Sequence, residues 1–563
     1  MRNPIKCTSR VLMLLSVVLL LITSSVYSNV KPGFKVYPTD GISVQVPFTP
    51  NNINTFIFNT GVFDQDLRTN NTPGFQWPAG SGKFAIFTAG LTIMGYVNGQ
   101  LRMAAASYTG EYMPGKVIYN SGNPVGYTDN TFKLYKVSFG DNCNNNPDWA
   151  NWGLMVPYGA PYTDINGNSQ YDPCIDIPGV KDSKQTVFVY LTDAFPSQHN
   201  TSEGFGGGTD PLFAEMSFTI WGYQGYAVSD MHFMKFNIIN KNTMLWDSVY
   251  VGIVSDPDVG DATDDYAGCD TVLNLAYCYN SDNMDGNGSG ATYGANPPAA
   301  GFQLLKSPLV NQTELKLTSL NYFTNPGSGQ AVCERDPNDP TEAYNYMKGF
   351  KSDGTPWLNP EFNPPAITKF CYTGDPETNT GWTEYTGKIG NCGGSTTGTI
   401  SPSTGGDRRI VMSTGSNMLS MSQNDTMEIV MAQLVARGSN NLNSVTKLKE
   451  LAVISDGLYH SGFVNVGVTS ISTIIPKNYS LSQNYPNPFN PSTKIEFEIP
   501  KTDLVKVAVY DITGKEIATL INSTLNAGSY RVDFDGSGLA SGIYFYSLET
   551  YGFRETRKMI LLK

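Results

Sequence analysis

The chain has 563 residues, a net charge of −12 and only 15% charged residues, so it is long enough for several domains and has no basic block that would favour nucleic acid as a partner. It contains 56 Gly, 34 Pro, 32 Tyr and 28 Phe. Tyrosine and phenylalanine favour half-buried strands, and glycine and proline supply turns, so the composition predicts a mainly β fold.

The N-terminus has the features of a secretory signal peptide. Three basic residues precede an apolar stretch of twelve residues, 11–22, and small side chains follow at Val26 and Ser28. We expect cleavage after Ser28, which removes residues 1–28 and gives a mature charge of −12 − 3 = −15. A transmembrane anchor is the alternative, but it would need about 20 apolar residues, so we predict no transmembrane anchoring. The basic residues are Arg2, Lys6 and Arg10.

Residues 29–475 are predicted to form a large antiparallel β-rich region with long loops and one or two subdomains. Alternating apolar residues at 216–221, 232–239 and 248–254 indicate strands of one antiparallel meander. The 3.6-residue period at 444–455 predicts a helix. Two long segments, 280–300 and 386–407, contain few large apolar residues, and loops of this length tend to be mobile or functional.

The first of two acidic loops, DINGNSQYDPCID, spans residues 164–176. Its polar residues alternate, as they do where successive side-chain oxygens converge on a hard cation, and it resembles the start of EF-hand-like and dockerin-like calcium loops. It departs from them at Ser169, where glycine is expected, and at Ile175, where a bidentate glutamate is expected. The alternative is a loop of Asx turns without a cation. The candidate calcium ligands are Asp164, Asn166 and Asn168, with Asp172 or Asp176 in place of the glutamate.

The second acidic loop, SDPDVGDATDDYAGCD, spans residues 255–270. Its carboxylates repel one another unless a cation neutralises them or they spread into water. We therefore predict a weak structural calcium site, with a solvated acidic loop as the alternative. The candidate ligands are Asp256, Asp258, Asp261, Asp264 and Asp265, and Asp270 ends the loop.

The cysteines suggest an oxidising compartment. Cys7 would leave with the signal peptide, so seven cysteines remain. If the chain is exported, these cysteines reach an oxidising compartment, where disulfides persist. Because seven is odd, at least one is free or pairs outside the chain, and the absence of C-x-x-C argues against zinc-ribbon and thioredoxin sites. We predict a Cys269–Cys278 disulfide that clamps the second acidic loop. The others are Cys143, Cys174, Cys333, Cys371 and Cys392.

Residues 476–563 are predicted to form a separate small β-sandwich, because short strands follow one another between turn signals. The stretch NYPNPFNPST, residues 484–493, leads into the first of these strands. It is stiff, since proline lacks an N–H and holds the preceding residue extended. Phe489 is then free to enter the sandwich core, although a plain interdomain linker is the alternative. The predicted strands are 494–499, 505–511, 516–521, 529–534, 542–549 and 555–562.

Four motifs of this tail, at 485–491, 509–516, 539–544 and 558–563, resemble the type A C-terminal sorting domain of the type IX secretion system. The resemblance implies an immunoglobulin-like sandwich, similar to that of flagellar hook-capping proteins. It also implies export through the periplasm to the outer cell surface or the medium, with the outer-membrane translocon and its sortase-like peptidase as partners and surface polysaccharide as a tethering site. The implied recognition residues are Pro486, Asn487, Pro488, Phe489, Gly514, Lys515, Gly542, Tyr544, Lys558 and Lys563.

Catalytic motifs are missing from the sequence. The three histidines, His199, His232 and His460, do not form H-E-x-x-H, and no nucleophile elbow or phosphate loop occurs. A resemblance to uncharacterised secreted proteins with the same tail is found at residues 58–66, 74–108 and 255–270. This resemblance implies no catalytic residues.

We therefore predict a non-enzymatic exported protein with a structural, adhesive or binding role and calcium-ordered loops. The alternative is a secreted carbohydrate-active or other hydrolase that uses Asp or Glu pairs, which meet in space rather than in sequence. A third hypothesis is a subunit of an extracellular assembly, joined through a cysteine or a strand edge.

Overall fold

The computed structural model describes residues 44–563 except 70–71, 201–203, 226–227, 326–330, 464–467, 473–475, 526 and 537–538. The predicted signal peptide, residues 1–28, lies outside the described residues, as does Cys7. Within the described part of the chain, no helix combines the length and the apolar character needed to cross a membrane.

Two large antiparallel sheets form the main region, which confirms the mainly β prediction. The first sheet has eight strands. In spatial order they are Gln45–Phe48, Thr55–Phe58, Val62–Phe63, Thr88–Val97, Trp246–Asp256, Arg409–Gly415 and Ser319–Phe323, with Gln100–Ala104 paired to Thr88–Val97.

The second sheet has nine strands. In spatial order they are Met113–Pro114, Gln185–Thr192, Ala214–Gly222, Met231–Asn240, Thr426–Ala436, Ala299–Lys306, Leu275–Asn280 and Asp265–Asp270, with Tyr135–Ser138 paired to Gln185–Thr192.

The predicted meander is correct for two of its three strands. Strands Ala214–Gly222 and Met231–Asn240 pair with each other in the second sheet. Strand Trp246–Asp256 instead pairs with Thr88–Val97 and Arg409–Gly415 in the first sheet. The chain therefore crosses from one sheet to the other after Asn240. Alternation fixes which side chains are buried, but it does not fix which strand lies alongside.

The main core lies between the two sheets. Alternate side chains such as Phe218 and Phe236 of the second sheet and Ile93 and Ile253 of the first are buried in one cluster. The rings of Phe218 and Phe236 stack with centroids 4.6 Å apart. Period-two alternation places these residues on the face that meets the opposite sheet.

Helices cover the outer faces of both sheets. Helix Asn441–His460 buries Val445, Leu448 and Ala452 against the second sheet, which confirms the predicted helix and extends it at both ends. Asn440 caps it by accepting from the N–H of Asn443. Helix Pro340–Met347 packs on the first sheet, and a third helix, Pro147–Asn151, lies beside strand Tyr135–Ser138.

The long loops contain short two-stranded ribbons, so segments 280–300 and 386–407 are not structureless. The ribbons pair Gln65–Asp66 with Thr72–Pro73, Phe75–Gln76 with Phe84–Ile86, Lys116–Asn120 with Asn123–Tyr127, Tyr162–Thr163 with Ile177–Pro178, Met284–Asp285 with Gly294–Ala295, Leu309–Val310 with Thr313–Glu314, Trp357–Asn359 with Ala366–Thr368, and Lys388–Ile389 with Ile400–Ser401.

The C-terminal tail forms two four-stranded sheets around a core of its own. Every predicted strand of the tail is present, together with two additional strands: Val468–Ser472 pairs with Gly528–Asp535, and Ser480–Leu481 pairs with Ser492–Ile499. The sandwich thus begins before residue 476, the predicted boundary. One sheet has the order Val468–Ser472, Gly528–Asp535, Ser492–Ile499, Ser480–Leu481, and the other Glu516–Leu525, Asp503–Tyr510, Gly542–Glu549, Arg554–Leu561.

Two disulfides join Cys143 to Cys174 and Cys333 to Cys392. The predicted Cys269–Cys278 disulfide is wrong, because both thiols are free and buried. On paired strands Cys269 lies opposite Ala276, and Cys278 lies opposite Ala267. Such diagonal neighbours are about 7–8 Å apart, beyond the usual disulfide span of about 4.4–6.8 Å. Burial raises the pKa of both thiols.

Candidate functional site

The proline-rich segment of the tail lies along the last strand of the sandwich. The Phe489 N–H donates to the Ile560 carbonyl at 2.9 Å, and the Leu562 N–H donates to the Phe489 carbonyl at 3.0 Å. The side-chain oxygen of Asn487 accepts from the Ile560 N–H at 2.9 Å. Residues at the two ends of the tail sequence are therefore held side by side.

Phe489 is buried in the sandwich core, as predicted, with its ring 6.0 Å from that of Phe534. Three polar residues fix the segment around it: Asn484 and Thr493 of the proline-rich stretch, and Tyr546, which sequence reasoning missed. The Asn484 amide donates to the Pro486 carbonyl at 3.0 Å and to Thr493 Oγ1 at 2.9 Å. The Tyr546 hydroxyl donates to the Ser482 carbonyl at 2.7 Å and accepts from the Asn484 N–H at 2.7 Å. Asn484 and Thr493 stand at the two ends of the stretch NYPNPFNPST, whereas Tyr546 lies far from it in sequence and has no local signal.

The hairpin turn of the second motif is built around Asp511. Its carboxylate accepts from the hydroxyl and N–H of Thr513 and from the N–H of Lys515. These contacts, chiefly the Thr513 hydroxyl, lower the pKa of Asp511. Gly514 has φ of +82°, a conformation that favours glycine, which explains the motif's glycine at this position.

All four motifs meet at one end of the sandwich. Tyr510, just before the turn, pairs with Phe545, and Gly542 pairs with Leu561. The N–H of Lys563 donates to the Ser541 hydroxyl at 3.0 Å. Of the implied recognition residues, Pro486, Pro488, Gly514, Lys515, Lys558 and Lys563 are exposed, Asn487, Gly542 and Tyr544 are half-buried, and Phe489 is buried, so it supports the surface from below.

Residues 483–562 match the family model of the secretion system C-terminal sorting domain. The tail is thus a sorting domain of the type IX secretion system, and the protein is one that is exported to the cell surface or beyond it. The immunoglobulin-like assignment stays a prediction.

The match covers the tail alone, and no curated protein matches the chain. Among solved structures, a polysaccharide lyase aligns with 80% of this chain and 46% of its own at 8% identity and a TM-score of 0.17. The chain therefore spans less than half of that structure, and this likeness carries no argument about fold or activity.

The first acidic loop brings all five of its predicted ligands into one hydrogen-bond network. The amides of Asn166 and Asn168 both donate to one oxygen of Asp172 at 2.7 Å. Asp164 accepts from the N–H groups of Gly167 and Ser169, and Asp176 accepts from those of Ile165 and Asp172. The Cys143–Cys174 disulfide ties the loop down. The same contacts satisfy the alternative, a loop of Asx turns.

The second acidic loop contributes two aspartates to a partly buried cluster. One oxygen each from Asp256, Asp258 and Asp407 lies within 4.8 Å of the others, a separation that a cation could bridge. Arg409 borders the cluster, 3.8 Å from Asp256 and 3.6 Å from Asp407. The Tyr108 hydroxyl donates to Asp256 at 2.7 Å and accepts from Arg409 at 2.8 Å. Asp407, Arg409 and Tyr108 were missed because they are distant in sequence.

The remaining three candidates of this loop are bound elsewhere. Asp261 accepts from Thr263, and Asp264 accepts from the Asn280 amide at 2.7 Å. Burial raises the pKa of Asp264 to about 7 and raises that of the buried Asp265 well above its usual range. Protonation of these two aspartates therefore relieves part of the repulsion between carboxylates, which was expected to require a cation or exposure to water.

Proposed function

We propose that this protein is a non-enzymatic cargo of the type IX secretion system, with a structural, adhesive or binding role at the outer cell surface or outside the cell. The observation that carries the export part of this proposal is the gathering of the four sorting motifs at one end of the sandwich, where most of their side chains are exposed. A receptor can read such a surface as an address. The outer-membrane translocon and its sortase-like peptidase are the proposed partners, with surface polysaccharide as the tethering site.

Removal of residues 468–563 is the direct test, because the sandwich begins at Val468. We expect the shortened chain to stay in the periplasm, as measured by surface proteolysis of intact cells and intact-mass analysis of each fraction. Unchanged export would refute the proposal.

A charge reversal tests the recognition surface without disturbing the core. Lys515 and Lys558 are exposed and lie in the motifs, whereas Lys501 is exposed and lies outside them. We expect Lys515→Glu with Lys558→Glu to reduce export at an unchanged melting temperature, and Lys501→Glu to export normally. Equal export of both variants would place recognition elsewhere.

Calcium-ordered loops are part of the proposal because of the donor types. Carboxylate and amide oxygens are the ligands that calcium prefers, and both the 164–176 loop and the cluster of Asp256, Asp258 and Asp407 offer them. Arg409 already supplies positive charge to the second cluster, which favours a weak site there. The role would be to order loops.

The rival function is a secreted carbohydrate-active or other hydrolase. A glycoside hydrolase that uses an Asp or Glu pair needs the two carboxyl groups about 5–9.5 Å apart across the scissile bond. Asp256 and Asp407 of the second cluster instead lie beside Arg409, and Asp256 also accepts from Tyr108, which favours a structural role for them. Release of reducing sugar from polysaccharide by the purified chain, abolished by replacing one carboxylate, would support the hydrolase over our proposal.

A further inference from the structure

A pocket of about 410 Å³ opens between the edge of the second sheet, the 376–385 loop and the start of helix Asn441–His460. This volume is within the range of about 300–1,000 Å³ typical of small-molecule sites. The residues that carry the argument are Tyr266, Tyr279, Tyr385, Asp282, Glu377 and Asn441.

Two tyrosines form the floor of the pocket. Tyr266 and Tyr279 are direct partners on adjacent strands, and their rings meet edge to face with centroids 5.9 Å apart. Both are nearly buried, and the Tyr266 hydroxyl donates to the Ser403 carbonyl at 2.9 Å. The third, Tyr385, is 68% exposed and offers its ring to a ligand.

The loop that carries Tyr385 is anchored on both sides of that residue. Glu384 is buried and accepts from the Ala267 N–H at 2.7 Å, from the Ser403 hydroxyl at 2.7 Å and from Arg408 Nε at 2.9 Å. The buried Trp382 donates to the Gly387 carbonyl at 2.7 Å. An exposed aromatic ring on a rigid support loses little conformational entropy when it binds a ligand.

The far side of the loop is tied to the helix. Glu377 accepts from the Asn443 amide at 2.9 Å and from the Thr446 hydroxyl. Asn441 donates to the Asn280 carbonyl at 2.9 Å. The pocket walls therefore come from three elements that hydrogen bonds hold together, which is the condition for a preformed site.

The chemistry of the lining selects the ligand class. Among the described lining residues there is no Lys, Arg or His, while Asp282 and Glu377 are acidic, which disfavours an anion. Carboxylates accept hydrogen bonds from hydroxyl groups, and an amide such as that of the exposed Asn379 both donates and accepts. A tyrosine ring adds a flat apolar face. We infer that this pocket binds a neutral saccharide, with a sugar ring against Tyr385. The inference rests on the proposed binding role of the protein.

The test uses the full mature chain on an array of neutral and acidic glycans, followed by calorimetry with the best neutral oligosaccharide. We expect neutral glycans to bind, and Tyr385→Ala and Asp282→Asn each to weaken binding about tenfold or more at an unchanged melting temperature. Both side chains are exposed, so these variants should fold. Phe139→Ala is the matched control, because Phe139 is 75% exposed and lines a different cleft.

Three outcomes would overturn the inference: no neutral glycan binds, only acidic glycans bind, or Tyr385→Ala binds as the unaltered chain does. Cleavage of a bound glycan would refute the non-enzymatic proposal while leaving the saccharide site in place. Failed export of an otherwise glycan-binding chain would refute only the sorting proposal.

Discussion

Gln433 donates its side-chain amide to the buried carboxylate of Asp64, although 369 residues separate them in sequence. Asp64 follows a strand of the first sheet and Gln433 lies on a strand of the second, so the contact joins the two halves of the main core. Thr55 donates to the other Asp64 oxygen at 2.7 Å, and His232 Nε2 contacts the side-chain amide oxygen Oε1 of Gln433.

This contact predicts a pH-dependent stability. Burial, opposed by the Gln433 and Thr55 hydrogen bonds, raises the pKa of Asp64 from 3.8 to about 7. The folded state therefore holds the proton more tightly, and its contribution to stability is full below about pH 4 and is lost as the pH rises to about 7. Because burial lowers the pKa of the neighbouring His232 to about 4, which adds stability as the pH rises over the same range, the effect of Asp64 is measured as a difference between two chains. In urea unfolding, the free energy of unfolding of the unaltered chain relative to that of Asp64→Asn should decline by an amount on the order of a few kcal/mol between these pH values. Asp210→Asn, at a 77% exposed side chain, should leave the decline intact, and an identical decline in both variants would contradict the assignment.

The burial of Phe489 predicts that the two aromatic residues of the first motif, Tyr485 and Phe489, contribute very differently to the stability of the sandwich. Phe489→Ala should destabilise the sandwich by about 3–5 kcal/mol, because it leaves a cavity in the core. Tyr485→Ala, four residues earlier and 80% exposed, should leave the melting temperature unchanged. Calorimetry of the full chain checks both, and a thermally neutral Phe489→Ala would show that the ring does not support the tail.

The Cys143–Cys174 disulfide should stabilise the region that carries the first acidic loop. It spans 31 residues, for which loop closure predicts about 3–4 kcal/mol. The double variant Cys143→Ser with Cys174→Ser should lose that stability and become sensitive to proteolysis within residues 143–174. The free, buried Cys371 provides the control, since Cys371→Ser breaks no disulfide. Cleavage confined to other segments would contradict the expected local effect.

Calcium removal should lower the melting temperature by several degrees, as expected for a ligand that binds only the folded state. Asp164→Asn should remove the part of this calcium-dependent change in melting temperature that comes from the first loop, and Asp407→Asn the part that comes from the second cluster. The two effects should add because no residue is common to both sites. Differential scanning fluorimetry with a chelator and with re-added calcium measures each share. A melting temperature indifferent to the chelator would dispose of calcium binding.

Local pattern was sufficient for six of the eight strands of the C-terminal sandwich. Ile495, Phe497 and Ile499 alternate with charged residues in the sequence, and all three are buried in the core of the tail. Phe489 was correctly placed in that core because the prolines around it exclude both helix and central strand pairing. Such features depend on the backbone geometry of neighbouring residues, which a sequence states directly.

Tertiary structure alone decided which distant residues became partners. Asp407 joins Asp256 and Asp258, Cys269 and Cys278 fall on diagonal positions that cannot bond, and strand Trp246–Asp256 pairs in the other sheet. The physical reason is that side-chain alternation sets the buried face of a strand, whereas its neighbour is chosen by how two whole sheets pack. The export route could be inferred from a local address, but the tyrosine pocket required loops far apart in sequence to meet.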